Sequence, residues 1–152
     1  MSRQPLLALA LMRVVIGAVF AAHGVQAIFV KGLGHTTAQF QGWNVPLPLL
    51  TAPLVATLEL AGGVLLLLGL GTRPLALLLT GVMAAAIYFA HWGRSFFGVN
   101  GMEVALLLGS GALALALGGP GEPAFDGWVR RGRSSPPAAS RPARPSGNKA
   151  KN

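Results

Sequence analysis

The stretch TAPLVATLELAGGVLLLLGLGTRPLALLLTGVMAAAIYFAHW, residues 51–92, holds two apolar runs, Thr51–Leu70 and Arg73–Trp92, parted only by Gly71 and Thr72. A transmembrane helix needs about 20 mostly apolar residues, and each run supplies that length. A link of two residues joins such helices only as an antiparallel hairpin. Gly69 and Gly71 suit the end of the first helix, Thr72 can cap the second, and Pro74 fits its first turn. Outward from this hairpin lie two more apolar stretches, Leu6–Val30 and Gly101–Leu117. The last is the shortest, with Glu103 near its start, and takes its apolar weight from Leu106, Leu107, Leu108, Leu113, Leu115 and Leu117. The expected fold is all-α: an integral membrane four-helix bundle with helices over about 6–30, 51–70, 73–92 and 101–117.

Composition supports the same class. The chain has 152 residues, 53% hydrophobic and only 11% charged, with a mean hydropathy of +0.59, whereas soluble domains carry about 25% charged residues. The chain has no cysteine, which excludes a disulfide framework, a thiolate metal site, a haem-attachment motif and a dithiol redox pair. Redox chemistry would have to come from something bound. A secretory signal peptide is the rival reading of residues 6–30, with Arg3 before the run and small residues at Ala21 and Ala22. The apolar part of such a peptide is about 7–15 residues long, but this run contains Arg13 and stays apolar through Ile28, Phe29 and Val30. It reads as a retained helix.

The net charge of +8 is unevenly placed. Residues 127–152 hold Arg130, Arg131, Arg133, Arg141, Arg144, Lys149 and Lys151 and no acid, which leaves +1 for the rest. A basic tail on a hydrophobic body points to a membrane surface, not to nucleic acid. The tail also carries Pro136, Pro137, Pro142 and Pro145 and little apolar bulk, so it is expected to be disordered and drawn to anionic lipid. The domain boundary falls after residue 126. Lys and Arg favour the cytoplasmic side. Arg3, Arg73 and the tail fall on one side and Lys31 and Arg94 on the other, so both termini are expected in the cytoplasm. Residues 31–50, with Gly32, Gly34, Gly42, Pro46 and Pro48, read as a loop on the opposite side that covers the end of the bundle.

Ionisable residues inside apolar helices are the most informative positions. A charge at a helix centre costs about 2.5–3.5 kcal/mol on insertion scales. The eight Leu and two Val of Thr51–Leu70 offset Glu59, which explains how the acid is tolerated but not why it is there. With about 1.5 Å rise per residue, Glu59 lies near the midplane, His23 and His91 in the outer half, and Glu103 in the first turn after the outer loop. Two acids and two imidazoles are therefore expected to converge below the outer surface. Arg13 lies on the inner half, where it can snorkel to headgroups or reach toward Glu59.

Helical spacing groups Arg13, Gly17, Phe20 and Gly24 on one face, Glu59, Gly62 and Gly63 on another, and Glu103, Leu107, Ser110 and Ala114 on a third. Small residues beside an acid allow close helix approach and leave room for a partner or ligand. Each position also has a plainer reading. Glu59 can serve a hydrogen bond inside the bundle, Glu103 suits the helix dipole, the histidines can simply pack, and Arg13 can be structural. Trp43, Trp92 and Trp128 read as interface anchors. A faint repeat pairs Glu59-Leu-Ala with Glu103-Val-Ala, as in transporters built of parallel repeats. No Gly-x-Ser-x-Gly, phosphate loop, dinucleotide fingerprint or His-Glu-x-x-His occurs. With no His pair at i, i+4, no metal site is expected.

The residues that place the chain in a family are Arg13 with Gly17, His23-Gly24, Glu59 followed by Leu67-Leu68-Gly69-Leu70-Gly71-Thr72-Arg73, His91 before Phe96-Phe97, Gly101-Met102-Glu103, and Gly119-Pro120-Gly121 leading to Phe125-Asp126. In this order, over about residues 13–126, the sequence resembles the DoxX family of small four-helix bacterial membrane proteins. The family often has a Lys shortly after the His-Gly pair, where this chain has Ala27, so that role is lost or moves to Lys31. The resemblance implies a plasma-membrane protein, with some members serving as membrane subunits of oxidoreductase complexes, one of which passes electrons from thiosulfate to quinone.

Three functions are expected. The first is a small membrane subunit or anchor of an oxidoreductase, quinone-linked, with a membrane-associated or cytosolic redox enzyme as partner, no covalently bound cofactor, and Arg13, His23, Glu59, His91 and Glu103 as the candidate polar site. The second is a proton-coupled small-molecule transporter or binding protein with its site between the hairpins. The third is a scaffold whose basic tail recruits a cytosolic protein.

Overall fold

Residues 3–93, 96–97 and 102–124 are described by the structure, a computed structural model. Its helices are α1 (Arg3–Val25), α2 (Leu33–Gly42), α3 (Pro48–Leu68), α4 (Thr72–Ala86) and α5 (Glu103–Gly118). Two of them, α1 and α4, run on into π-helical turns, Gln26–Val30 and Ile87–His91. Gln4–Val30, Pro48–Leu68 and Thr72–His91 are each long and apolar enough to cross a membrane, while α5 is apolar but only 16 residues long. The all-α bundle of four apolar helices expected from the sequence is present. The tail, Phe125-Asp126 and Trp128 lie outside the described residues.

The hairpin forms as expected, with one change at its turn. Gly69 takes φ +74°, its N–H donates to Leu66 O and that of Leu70 to Leu65 O, each at 3.0 Å. This is the glycine-closed end that satisfies the last carbonyls of a helix. Gly71, not Thr72, then flanks α4: Thr72 is already helical and fully buried, and Leu75 N–H donates to Gly71 O at 3.2 Å.

The connection over residues 31–50 is not a plain loop, because α2 forms within it. No proline occurs between Lys31 and Val45, and Gly32, at φ +82°, turns the chain out of the π-helical end of α1. Thr36 then binds the new helix back to α1, its hydroxyl donating to Ala27 O at 3.0 Å and Gly32 O at 3.1 Å. So short a helix depends on tertiary contact, and Thr36 is its one buried residue.

The most extensive packing joins α1 to α3 and α4 to α5. Between these pairs lies a core that includes Phe20, Leu66, Leu79 and Leu115, all fully buried. The α1–α3 seam is closed by absent side chains. A Cβ on Gly24 would run into the backbone of Leu60, and one on Gly63 into that of Ala21. Without a hydrophobic effect between helices in lipid, such close approach supplies the attraction. The expected faces hold here: Arg13, Gly17, Phe20 and Gly24 are buried, as are Gly62 and Gly63. On α5 the expectation fails. The buried face is Ala105, Leu108, Ala112 and Leu115, while Leu107 is 73% exposed, and exposed Ser110 donates to Leu107 O within its own helix at 3.0 Å. In a helix apolar all round, hydropathy does not mark the inner face; small Ala residues are what admit the neighbouring helix.

Candidate functional site

The bundle has two unlike ends. Where α1 begins and α5 stops, residues after α5 fold back across α1, Glu122 N–H donating to Leu6 O at 3.1 Å. Arg13, only 4% exposed, donates from Nη2 to Pro123 O at 2.7 Å, and its Nη1 fills the space a Cβ on Gly69 would occupy. The structure thus corrects both expectations for Arg13. It neither snorkels nor reaches Glu59, but holds the C-terminal segment against α1 and the hairpin turn.

At the other end lies a cavity of about 820 Å³, within the roughly 300–1,000 Å³ of small-molecule sites. Its walls come from every helix. The first helix gives His23, Gln26 and Ala27; α2 gives Thr36, Gln39 and Phe40; α3 gives Ala56, Leu58 and Glu59. From α4 and its π-helical turn come Gly81, Val82, Phe89 and His91, and from α5 Val104, Ala105 and Leu108. Both π-helical turns border it. A π-turn widens the helix and shifts the register of the residues beyond it, which is why such turns recur at functional sites; the first is closed by Lys31 N–H donating to Gln26 O at 2.8 Å. Between α2 and α3 the chain supplies Trp43, Val45 and Pro46 to the wall. There Asn44 and Leu47 adopt φ +54° and +51°, a left-handed conformation costing a non-glycine residue on the order of 1–3 kcal/mol, of the kind that concentrates at functional sites.

Of the residues singled out from sequence, the structure brings together His23, Glu59 and His91 on this one cavity. Glu59 stands midway along α3, half-buried. Among the described residues, no hydrogen bond or ion pair engages its carboxyl. Glu103 is half-buried at the first position of α5, beside the cavity-lining Val104 and Ala105 but not itself in the wall. Arg13 belongs to the opposite end. Trp92 is 74% exposed, as an interface anchor would be, but Trp43 is a half-buried cavity residue whose ring centroid lies 5.7 Å from that of Phe40. Sequence reasoning missed Thr36, Gln39 and Phe40, which it placed in a loop. Together with Trp43 they recur at i, i+3, i+4 and i+7, the helical spacing that would have revealed them. Among the described residues, no group of three His, Asp or Glu side chains is placed to hold a metal ion.

Chemically, the cavity offers one carboxyl, two imidazoles, amides from Gln26 and Gln39 and the Lys31 ammonium among aliphatic and aromatic walls. That suits a molecule with a polar head and an apolar body.

The DoxX family matches residues 8–92. A protein of Bacillus subtilis (strain 168) named "Putative oxidoreductase CatD" is 34% identical over 125 residues, covering 82% of this chain and 89% of that protein. A Haemophilus influenzae (strain ATCC 51907 / DSM 11121 / KW20 / Rd) protein named "Uncharacterized protein" is 35% identical over 124 residues, 78% of this chain and 87% of its own length. No solved structure matches. With its apolar spans and the family match over most of the bundle, the chain belongs to the DoxX family of multi-pass membrane proteins.

Proposed function

We propose that the chain is a small membrane subunit of an oxidoreductase complex and that its cavity takes the head group of a quinone. The observation that carries this reading is Glu59: a carboxyl with no protein partner among the described residues, in an apolar-walled cavity that His23 and His91 also line. Ionisable groups kept inside a membrane are functional by default because they are costly to keep. The name of the B. subtilis relative adds support of a coarser kind.

The residues fit a quinone by their donor set. Ring carbonyl oxygens need N–H donors, which His23, Gln26 and Gln39 carry. Phe40, Trp43 and Phe89 offer flat apolar surface to a planar ring. When bound, a quinone supplies the exchange of electrons with protons. The chain's own part is to orient the head group, to hold or release a proton at the Glu59 carboxyl or the His23 imidazole, and, through α2, to limit water. Electrons would come from a partner enzyme, membrane-associated or cytosolic. In the membrane, the Arg13 end faces the cytoplasm, with Arg73 and the basic tail on that side and the tail against anionic lipid; the cavity then opens toward the outer face.

Purification of the tagged full chain in mild detergent, with mass spectrometry of co-eluting proteins and solvent extraction of quinone, tests the reading. A stoichiometric redox enzyme and a quinone that is lost in Glu59→Gln are expected. A clean protein without either overturns it, and pH-gradient-driven uptake into proteoliposomes would then support the transporter reading.

A further inference from the structure

The geometry points to a lateral portal between α3 and α4, through which a ligand dissolved in the bilayer reaches the cavity past Leu78, Gly81 and Ala85. This rests on the cavity being the ligand site, and it adds the route and hence the ligand class: an amphiphile partitioned into lipid, not a water-soluble solute.

Leu78, Gly81 and Ala85 succeed one another at steps of three and four on α4 and so share a face. All three line the cavity, yet all three are exposed, Leu78 by 55%. Residues that do both form the rim of an opening. Because they lie within the span Thr72–His91, what they are exposed to is acyl chain. A Cβ added at Gly81 would meet nothing within 4 Å, so this part of the rim is open space. The cause is in the packing. Although α3 and α4 are joined at Gly69–Gly71, each packs more extensively on another helix, α3 on α1 and α4 on α5, than on its hairpin partner. On the facing side Val55 and Leu58 are half-buried in the wall, with Glu59 next in the chain. Polarity thus rises from the apolar rim to the carboxyl and His23. That gradient fits a ligand whose head lies inside and whose tail stays between the helices; a second copy of the chain seated there would leave Glu59 facing an apolar helix.

The absence of native cysteine makes a single introduced one a unique handle. In proteoliposomes of the full chain, dicyclohexylcarbodiimide, a bilayer-soluble carboxyl reagent, should modify Glu59 as read by mass spectrometry. Pyrenylmaleimide attached at Gly81→Cys should slow that modification about tenfold. The same label at Leu113→Cys, an exposed position on α5 outside the cavity wall, should leave the rate unchanged, and thermal unfolding in detergent confirms that both variants fold. Equal rates with and without the Gly81→Cys label overturn the portal. So does a Glu59 that resists this reagent, whether or not a water-soluble carbodiimide modifies it, and so does oxidation of Gly81→Cys to a disulfide-linked dimer across the cleft. Absence of decylubiquinone binding to the wild type, with the carbodiimide pattern intact, would instead remove the quinone reading and leave the portal standing for another lipid-soluble ligand.

Discussion

Where α1 begins, the bundle is closed by contact: Arg13 is tied to Pro123 O and Glu122 N–H to Leu6 O, and the seam along which α1 and α3 meet backbone to backbone at Gly17, Gly24 and Gly63 runs on from there toward the other end. Where α1 ends, two π-helical turns, a strained connection and the short helix α2 surround an open space of about 820 Å³. Both ends contain ionisable residues within apolar helices, so hydropathy treats Arg13 and Glu59 alike. Their surroundings separate them. The arginine donates from Nη2 to a backbone carbonyl of the fold, whereas among the described residues no hydrogen bond or ion pair engages the glutamate's carboxyl.

The separation breaks most visibly if the seam is forced apart. Gly63→Leu places a side chain against the backbone of Ala21, which has no rotamer to change; overpacking costs typically about 1–3 kcal/mol and more where nothing can yield. Loss of folded protein is expected, with yield and the thermal midpoint in detergent as the measures. Gly62→Ala serves as the contrast. Its Cβ would sit 3.5 Å from the flexible end of Leu79, an ordinary contact, and the midpoint should barely move.

Arg13→Met tests the division of labour between the ends. It removes a charged hydrogen bond to Pro123 O, a loss of about 1.5–3 kcal/mol, so stability should fall while decylubiquinone affinity stays within about twofold, under one tenfold step of 1.4 kcal/mol. Should affinity fall as far as in Glu59→Gln, the ends are coupled and the contrast fails. A smaller effect is expected at α2. Thr36→Val removes the hydroxyl that donates to Ala27 O and Gly32 O, worth about 0.5–1.5 kcal/mol, and faster amide exchange confined to residues 33–42 should report it. The smallest concerns Gly81→Ala, where the new methyl has open space and stability should change by no more than about 0.5–1 kcal/mol, toward greater stability, from helix propensity alone.

Much of this architecture was legible in the sequence because lipid imposes a length rule on helices and short links impose antiparallel pairing. The α1 face of Arg13, Gly17, Phe20 and Gly24 was readable for a second reason: glycine at helical spacing has meaning where side chains must be absent. The α5 face was not, since Leu and Ala are equally apolar and only shape decides which turns inward. Three of the five candidate site residues, His23, Glu59 and His91, share the cavity, but Arg13 was placed by a carbonyl in a segment 110 positions away, which no local pattern encodes. Reading glycine and proline as loop markers hid α2 and with it Gln39 and Phe40, although the spacing of Thr36, Gln39, Phe40 and Trp43 was helical throughout.

The most direct test of the central claim is decylubiquinone binding monitored by Trp43 fluorescence in a Trp92→Phe, Trp128→Phe background, comparing Glu59 with Glu59→Gln. Saturable quenching is expected with Glu59 in place, with affinity falling about tenfold or more in Glu59→Gln, equivalent to about 1.4 kcal/mol or more, at an unchanged thermal midpoint. Quenching that is absent, or identical in the two proteins, would contradict the assignment of the cavity as a quinone site with Glu59 at its head.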